Sequence, residues 1–315
     1  MHAARSSFPV VRICCATLLA LFAGSCTAPL VEDAGALGPA VLESLADAQP
    51  VDVPTPEGPV LRGAFLGAGP DAPVVLHLLP TGASTRTGLP GGVGRVALDG
   101  TLEALRKLGW SSLVIDYRGV GASDGRRSPE HLREDGRAMW REAVLRAGGA
   151  PGRVVVRATS LGTLIAADLL RGEGDLDGVR PAAALLFAPV DATTIVPNAA
   201  RFRYGGLAGW WAGWTHRTPE FPALSMAAAS TDPPLLIVLP ERDPYLPPDE
   251  AQRVRDAAGS AGQRVETLDG EHARTVLRAW NFDVDVDGFG GRKVPELLEA
   301  EVRFLRDLGL SANRR

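Results

Sequence analysis

Short, continuously apolar segments recur along this chain, and stretches with helical periodicity lie between them. Strands that are apolar on both faces are typical of a parallel sheet with helices on each side. The predicted strands are VDVPT (51–55), VLRGAFLG (60–67), PVVLHLL (73–79), SSLVIDY (111–117), RVVVRA (153–158), AAALLFAP (182–189), PPLLIVLP (233–240) and QRVETLD (263–269). Helical patterns lie at 101–109, 129–146, 161–170 and 294–308. This alternation predicts an α/β fold built on a mostly parallel, doubly wound sheet.

The N-terminus predicts an export signal. Two arginines precede the apolar run ICCATLLALFAG (13–24), which is too short to span a bilayer comfortably and suits a signal-peptide core. The segment FAGSC resembles the box of bacterial lipoproteins, in which a cysteine after small residues is lipidated, so Cys26 is the predicted lipidation site. We therefore expect a signal peptide at 1–25 and an exported protein held in the cell envelope by a lipid anchor. The alternative is ordinary cleavage, for instance after Ala28, and a soluble periplasmic or secreted protein.

The rest of the chain predicts one domain behind a tether. All three cysteines lie in the first 26 residues, so Cys26 is the last cysteine in the chain. Residues 26–50 are small, polar and rich in Ala and Gly, which is typical of a tether, and 51–315 form the predicted domain. The net charge is −4, and Lys and Arg are scattered, so we expect no nucleic-acid partner.

Two serines compete for the role of nucleophile. GASDG (121–125) matches G-x-S-x-G letter for letter, whereas ATSLG (158–162) matches only with Ala in the first position. That motif has chemical meaning where a strand runs into a sharp turn followed by a helix, whose N-terminus favours developing negative charge. Ser160 meets these conditions, because it follows an apolar strand and an apolar helix begins at Leu161. Ser123 lies six residues beyond the strand end, with no apolar helix directly after it, so Ser160 is the predicted nucleophile.

The segment GWSSLVIDYRGVGASDG (109–125) resembles the fourth-strand region of the α/β-hydrolase family, of the type D-x-R-G-x-G-x-S. The resemblance covers the chain from about Val51 to Leu308. In that family this serine belongs to a structural loop, which further disfavours Ser123. The resemblance implies an α/β-hydrolase fold with a small helical cap insertion, here at about 190–232.

The predicted cap contains GGLAGWWAGW (205–214), an unusual concentration of tryptophan. Trp210, Trp211 and Trp214, together with Phe202 and Tyr204, could line an acyl pocket or touch lipid. Packing of the cap onto the body is the commoner fate of such side chains.

A serine hydroxyl becomes a good nucleophile when a base takes its proton, and histidine is suited to that role near neutral pH. His272 follows the last predicted strand in LDGEHA, and the family resemblance implies that this loop lies over the nucleophile. The alternative for His272 is an ordinary exposed loop histidine. The other four histidines lie in the signal segment, an apolar strand, a helical stretch and the cap: His2, His77, His131 and His216.

In α/β-hydrolases the acid lies between the serine and the histidine in sequence. LLIVLPERDPYLPPDEA (235–251) resembles the family's acid segment, with Asp243 in the turn after a buried strand. Asp243 is therefore the predicted acid, although an Asp-Pro pair also starts turns for purely structural reasons. Glu241 and Asp191 remain alternatives.

The predicted oxyanion hole departs from the family pattern. The N–H of Leu161 supplies the first donor, and the second should come from the loop after the third strand. The family usually has His-Gly there, whereas this chain has HLLPTGAST (77–85). Pro80 has no N–H to donate, so Thr81 is the predicted second donor, with Leu79 as the alternative.

These residues predict a serine hydrolase that cleaves an ester or thioester of a small-molecule acyl substrate through an acyl-enzyme. An amide substrate, as for a peptidase of the same fold, is an alternative. No cofactor and no metal is implied. The unusual loop at 77–85 favours a second alternative, a non-catalytic envelope lipoprotein that retains the fold.

Overall fold

A computed structural model describes residues 47–81, 83, 94–171, 180–215, 221, 224–272 and 296–310. The predicted signal peptide, Cys26 and the tether as far as residue 46 lie outside the described residues, and so does His216. Within the described ranges, no helix combines the length and the apolar composition needed to cross a bilayer.

The described residues contain one sheet of eight strands in the order β1-β2-β4-β3-β5-β6-β7-β8. The strands are β1 (Ala48–Pro54), β2 (Val60–Leu66), β3 (Val74–Leu78), β4 (Ser111–Ile115), β5 (Val154–Thr159), β6 (Ala183–Phe187), β7 (Leu235–Arg242) and β8 (Arg264–Glu271). β2 pairs antiparallel with both β1 and β4, and every pairing from β4 to β8 is parallel. The predicted α/β class with a mostly parallel sheet is therefore confirmed.

The described helices are α1 (Gly94–Lys107), α2 (Leu132–Arg146), α3 (Leu161–Arg171), α4 (Ile195–Tyr204), α5 (Gly206–Thr215), α6 (Leu224–Ala228), α7 (Pro248–Ser260) and α8 (Glu296–Asp307). Short 3₁₀ turns at Pro129–His131 and Pro151–Arg153 precede α2 and β5. Every residue of β3, β4, β5 and β6 is buried, as expected for strands covered on both faces, and this includes the polar His77 and Arg157.

Three elements differ most from the sequence prediction. α1 begins at Gly94, seven residues before its predicted start at 101. β1 begins at Ala48, inside the stretch predicted as tether, because residues 48–54 pair with β2 along their whole length. α7 was not predicted, because its buried residues are Glu250, two alanines and Val254, which give little apolar periodicity. Its start carries ordinary signals, with a proline at the first position and Asp249 and Glu250 in the first turn.

Between β6 and β7 the chain forms α4, α5 and α6. Gly205, with φ of +92°, turns α4 directly into α5, a conformation that glycine adopts without strain. Gly209 of α5 lies against Arg201 of α4, and Gly213 lies against Pro197. This order of contacts makes α4 and α5 an antiparallel helical hairpin, which we call the cap hairpin.

The loop after β4 is fixed by a buried arginine. Arg118 donates to Asp135 at 2.7 Å, to Glu134 at 2.8 Å and to Glu57 at 2.6 Å. Charge-assisted bonds of this kind hold a loop rigidly when the cation is removed from water. The D-x-R-G segment thus has a structural role in joining β4 to α2.

Candidate active site

Three side chains meet at the carboxyl edge of the sheet. Ser160 directly follows β5, Asp243 follows β7 and His272 follows β8. Because these strands are parallel, their carboxyl ends share one edge, where binding and catalytic groups gather in open α/β sheets.

The three side chains form a continuous chain of hydrogen bonds. Ser160 Oγ lies 2.8 Å from His272 Nε2, and His272 Nδ1 lies 2.6 Å from Asp243 Oδ2. A carboxylate accepts hydrogen bonds, so Nδ1 carries the proton and Nε2 is left to accept the Ser160 hydroxyl. The Asp243 side chain is 1% exposed and that of His272 is 10% exposed, so water scarcely competes for this contact.

Ser160 lies in a strained turn. Its φ is +49°, a left-handed conformation that non-glycine residues rarely adopt. The Ser160 N–H donates to the Phe187 carbonyl at 3.0 Å, and Thr163 Oγ1 donates to the Ser160 carbonyl at 2.6 Å. These bonds stabilise the turn and hold the hydroxyl at the start of α3.

Gly162 shows why the second small residue of the motif is needed. A Cβ at this position would lie 2.2 Å from the Leu78 carbonyl oxygen, closer than any real contact. The start of α3 therefore packs directly against the end of β3, and the chain leaves β3 beside the Ser160 turn.

Tyr245 holds both the acid and the base. Its N–H donates to Asp243 Oδ1 at 2.9 Å, which occupies the carboxylate oxygen that His272 does not use. Its ring packs edge-on against the His272 imidazole, with ring centroids 4.7 Å apart. Tyr245 was not predicted from the sequence, although its place two residues after Asp243 was a signal that could have identified it.

The cap hairpin is bonded to the same loop. Asn198 of α4 donates to the Tyr245 carbonyl at 3.1 Å, and Thr194 donates to the buried Glu250 of α7 at 2.7 Å. Phe202 approaches the Tyr245 ring at 6.0 Å. Asn198 and Phe202 thus connect α4 to the acid loop, and Thr194 connects the start of α4 to α7.

Comparison with solved structures agrees with this architecture. The chain is similar to the Pyrococcus furiosus esterase Pf2001, at 19% identity and a TM-score of 0.61, with 88% of this chain and 97% of that chain covered. It is also similar to an alpha-beta hydrolase from Vibrio vulnificus, at 21% identity and a TM-score of 0.58, covering 85% and 89%. A third similar structure is the propionate-bound esterase Est2 of Thermogutta terrifontis, at 18% identity and a TM-score of 0.51, covering 85% and 97%. The chain has the α/β-hydrolase fold.

No protein-family model matches this chain, and no curated protein is similar to it in sequence at a significant level. At these identities the structural likeness establishes the fold, and the chemistry has to be argued from the residues.

The hydroxyl of Ser123, the alternative nucleophile, is hydrogen-bonded to backbone groups of the α/β-hydrolase fold. Its hydroxyl donates to the Asp116 carbonyl at 2.7 Å and accepts the Arg62 N–H at 2.8 Å. The neighbouring Asp124 forms an ion pair with the Arg62 side chain. Ser123 therefore ties the loop after β4 to β2.

The two alternative acids are bonded elsewhere. The Asp191 carboxylate accepts the N–H of Thr193 at 2.9 Å and the N–H of Leu224 at 3.0 Å, so it joins the end of β6 to α6. The Glu241 side chain is 57% exposed and pairs with Arg242. Asp243 is the carboxylate that contacts His272.

His77 belongs to a buried polar cluster within the sheet. Its Nε2 lies 3.2 Å from Ser112 Oγ, and burial together with the nearby Arg157 holds its pKa well below the ordinary value. Arg157 in β5 pairs with Glu301 of α8 at 2.9 Å, and burial raises the pKa of Glu301. The Arg157–Glu301 pair anchors α8 to β5, the strand that directly precedes Ser160.

The two predicted oxyanion donors follow paired strands, since Thr81 comes after β3 and Leu161 comes after β5 and Ser160. Leu161 is the first residue of α3, where N–H groups have no partner within the helix. Leu79 and the half-buried Thr81 follow β3, and the Leu79 carbonyl accepts the Tyr117 hydroxyl at 2.9 Å. That bond fixes the start of the loop from which the second donor would come.

A cleft of about 530 Å³ adjoins the acid loop. Its lining includes Phe202, Asp243, Leu246 and Arg255, but neither Ser160 nor His272. This cleft therefore lies beside Asp243 and is not the space into which the Ser160 hydroxyl opens.

Proposed function

We propose that this protein is a serine hydrolase that cleaves an ester or thioester of a small-molecule acyl substrate through an acyl-enzyme. The observation that carries the proposal is the hydrogen-bonded series Ser160–His272–Asp243 at the carboxyl edge of the sheet. The strained Ser160 turn supports the proposal, because strained backbone conformations persist where the surrounding structure imposes them, and they cluster at active sites.

In the proposed mechanism, Ser160 Oγ attacks the acyl carbon while His272 Nε2 takes the hydroxyl proton. The carbonyl oxygen becomes an oxyanion that accepts the Leu161 N–H at the start of α3. His272 then gives its proton to the leaving alcohol or thiol, and the acyl group remains on Ser160. Water repeats the sequence, with His272 as base, and releases the acid.

Asp243 and the second donor complete the proposed site. Asp243 holds the imidazole in the required tautomer and stabilises the imidazolium. Thr81 is the proposed second donor and Leu79 the alternative. A missing donor costs about 2.7–4 kcal/mol of transition-state stabilisation, so this loop decides how fast the enzyme works.

Similar solved structures are consistent with a carboxylic ester substrate. Two of the three are esterases, and the Est2 structure holds propionate. A peptidase of the same fold would use the same three residues, and a graded panel of acyl esters and thioesters beside peptide amides separates the two.

The test of the proposed chemistry is covalent labelling with a fluorophosphonate probe. Labelling that is lost in Ser160→Ala and retained in Ser123→Ala supports the serine hydrolase. Circular dichroism of both variants checks that they remain folded, since Ser123 has structural bonds. Failure of the folded wild-type protein to label would favour the non-catalytic envelope protein.

We also propose that the protein is exported and anchored to the cell envelope through lipidation at Cys26. The apolar run at 13–24 and the small residues before Cys26 support this location. Fractionation of cells that express Cys26→Ser tests it: the variant should move from the membrane to the soluble fraction. Unchanged partitioning would contradict the anchor.

A further inference from the structure

Helix α5 of the cap hairpin exposes three of its large side chains, whereas Gly209 and Ala212 face the protein and Trp211 is half-buried. Ala212 is 3% exposed, and Gly209 packs so closely on α4 that a Cβ there would lie 2.6 Å from Arg201 Cβ. On the opposite side, Leu207 is 86%, Trp210 67% and Trp214 79% exposed. A helix on the surface of a water-soluble protein has the reverse arrangement, with its apolar stripe toward the core.

We call Leu207, Trp210 and Trp214 the aromatic face. Their spacing of three and then four residues puts them on one side of the helix. The Trp210 and Trp214 rings stack with centroids 6.5 Å apart and an interplanar angle of 6°. No residue of α5 is charged. Exposed apolar patches of this kind mark surfaces that contact a partner.

We infer that the aromatic face inserts into the surface of a lipid bilayer, so that the cap hairpin lies on the membrane. Tryptophan suits this environment because its ring is apolar and its N–H can still reach water or headgroups. Two further exposed aromatic side chains, Phe202 and Tyr204, end α4 next to the turn into α5. An uncharged helix with leucine and tryptophan on one side can lie in the interface without burying a charge.

The tether makes this contact geometrically available. Twenty residues, 27–46, separate the proposed lipidated Cys26 from the first described residue, Asp47. Fully extended, they span up to about 70 Å. The domain can therefore turn α5 toward the bilayer that holds its own N-terminus. This part of the inference rests on the proposed anchor, whereas the aromatic face itself does not depend on the hydrolase chemistry.

The contact would also set the orientation of the candidate active site. Asn198, on the other helix of the cap hairpin, bonds to Tyr245, whose ring contacts His272. Membrane contact through α5 would hold this acid loop at a fixed height above the bilayer.

Tryptophan quenching by brominated lipid tests the inference. The full-length protein is reconstituted into vesicles of phosphatidylglycerol and phosphatidylcholine, with the phosphatidylcholine either plain or brominated on its acyl chains. No tryptophan precedes Trp110 in the sequence, so the N-terminal anchor cannot report. We expect the brominated lipid to lower tryptophan emission, and we expect most of that loss to disappear in the double variant Trp210→Phe and Trp214→Phe.

Matched controls are Trp110→Phe and Trp140→Phe, which remove indoles that are 4% and 3% exposed and should leave the quenching unchanged. The absence of quenching in protein that sediments with the vesicles would overturn the inference, and so would a failure to sediment. Self-association without lipid that Leu207→Gln abolishes would assign the face to a second copy. Blue-shifted emission of Trp210 and Trp214 without lipid would assign it to the chain itself.

Failure of the hydrolase proposal or of the lipid-anchor proposal would give results different from failure of the membrane contact through α5. Loss of the hydrolase proposal appears as absent fluorophosphonate labelling with quenching intact. Loss of the anchor proposal appears when Cys26→Ser, added to the double variant Trp210→Phe and Trp214→Phe, leaves the partitioning of that double variant unchanged. The double tryptophan variant should label with the fluorophosphonate at the wild-type rate in the absence of lipid.

Discussion

The ring of Tyr245 packs edge-on against the imidazole of His272, with the ring centroids 4.7 Å apart. The N–H of the same residue binds Asp243, and its carbonyl accepts a hydrogen bond from Asn198 of the cap hairpin. One residue therefore contacts the base, the acid and the cap.

Tyr245→Ala should lower kcat about two- to tenfold, because an edge-to-face pair contributes about 0.5–1.5 kcal/mol beyond its buried area. The backbone N–H to Asp243 remains, so the acid keeps its orientation. Tyr245→Phe retains the ring that packs against His272, so it should keep the wild-type kcat. The measurement is ester hydrolysis with kcat and KM determined separately, together with the free energy of unfolding. A loss confined to KM would argue that Tyr245 binds substrate rather than positions His272.

Asp243→Asn should lower kcat by about 10³- to 10⁴-fold without unfolding the protein, because an amide no longer selects the Nδ1–H tautomer of His272. The matched variant is Asp191→Asn, which alters a carboxylate that binds Thr193 and Leu224 instead. It should keep kcat within about tenfold, the effect of one weakened hydrogen bond. Equal losses in the two variants would mean that the acid has been wrongly assigned.

Gly162→Ala should lower the free energy of unfolding by at least about 1–3 kcal/mol, as overpacking does. The new methyl group would lie 2.2 Å from the Leu78 carbonyl oxygen, so β3 or α3 has to move. Gly152→Ala has open space around it and should change stability by less than about 0.5 kcal/mol. Urea denaturation measures both variants. Wild-type stability in Gly162→Ala would contradict a close contact between α3 and β3.

His77→Gln should flatten the pH dependence of stability on the acid side of neutrality. The pKa of His77 is held well below its ordinary value of 6.5 by burial and by Arg157. Below pH 6.5 the unfolded chain therefore binds a proton that the folded protein does not, and stability falls as the pH falls. The loss is at most about 1.4 kcal/mol per pH unit, and it should disappear in the variant.

The measurement is urea unfolding between pH 7 and pH 5 for the wild type and His77→Gln. Ser112→Ala removes the hydrogen-bond partner of His77 but leaves the imidazole buried, so it should retain the slope. A slope of equal size in His77→Gln would assign the pH dependence to other groups.

Much of the fold could be predicted from local patterns. Largely apolar runs of five or six residues, such as those that form β3 and β5, predicted the strands, because a parallel strand is buried on both faces. Helix α7 was missed, since alanine carries little hydrophobic signal even where it is buried. The orientation of α5 could not be predicted either, because an apolar run does not indicate which of its sides packs against the protein.

The sequence by itself determined that Ser160 and Asp243 stand at the ends of apolar strands, and its resemblance to the α/β-hydrolase family implied that His272 reaches the same edge of the sheet. Local order along the chain carries that information, since a strand, a turn and a helix are contiguous. Tertiary structure alone decided that Tyr245 braces His272 and that Arg157 meets Glu301, 144 positions away. Burial makes such partners necessary, because a charge or an imidazole inside the protein needs a neighbour. Which neighbour such a group contacts depends on the order of the strands within the sheet and on the helices that cover the sheet.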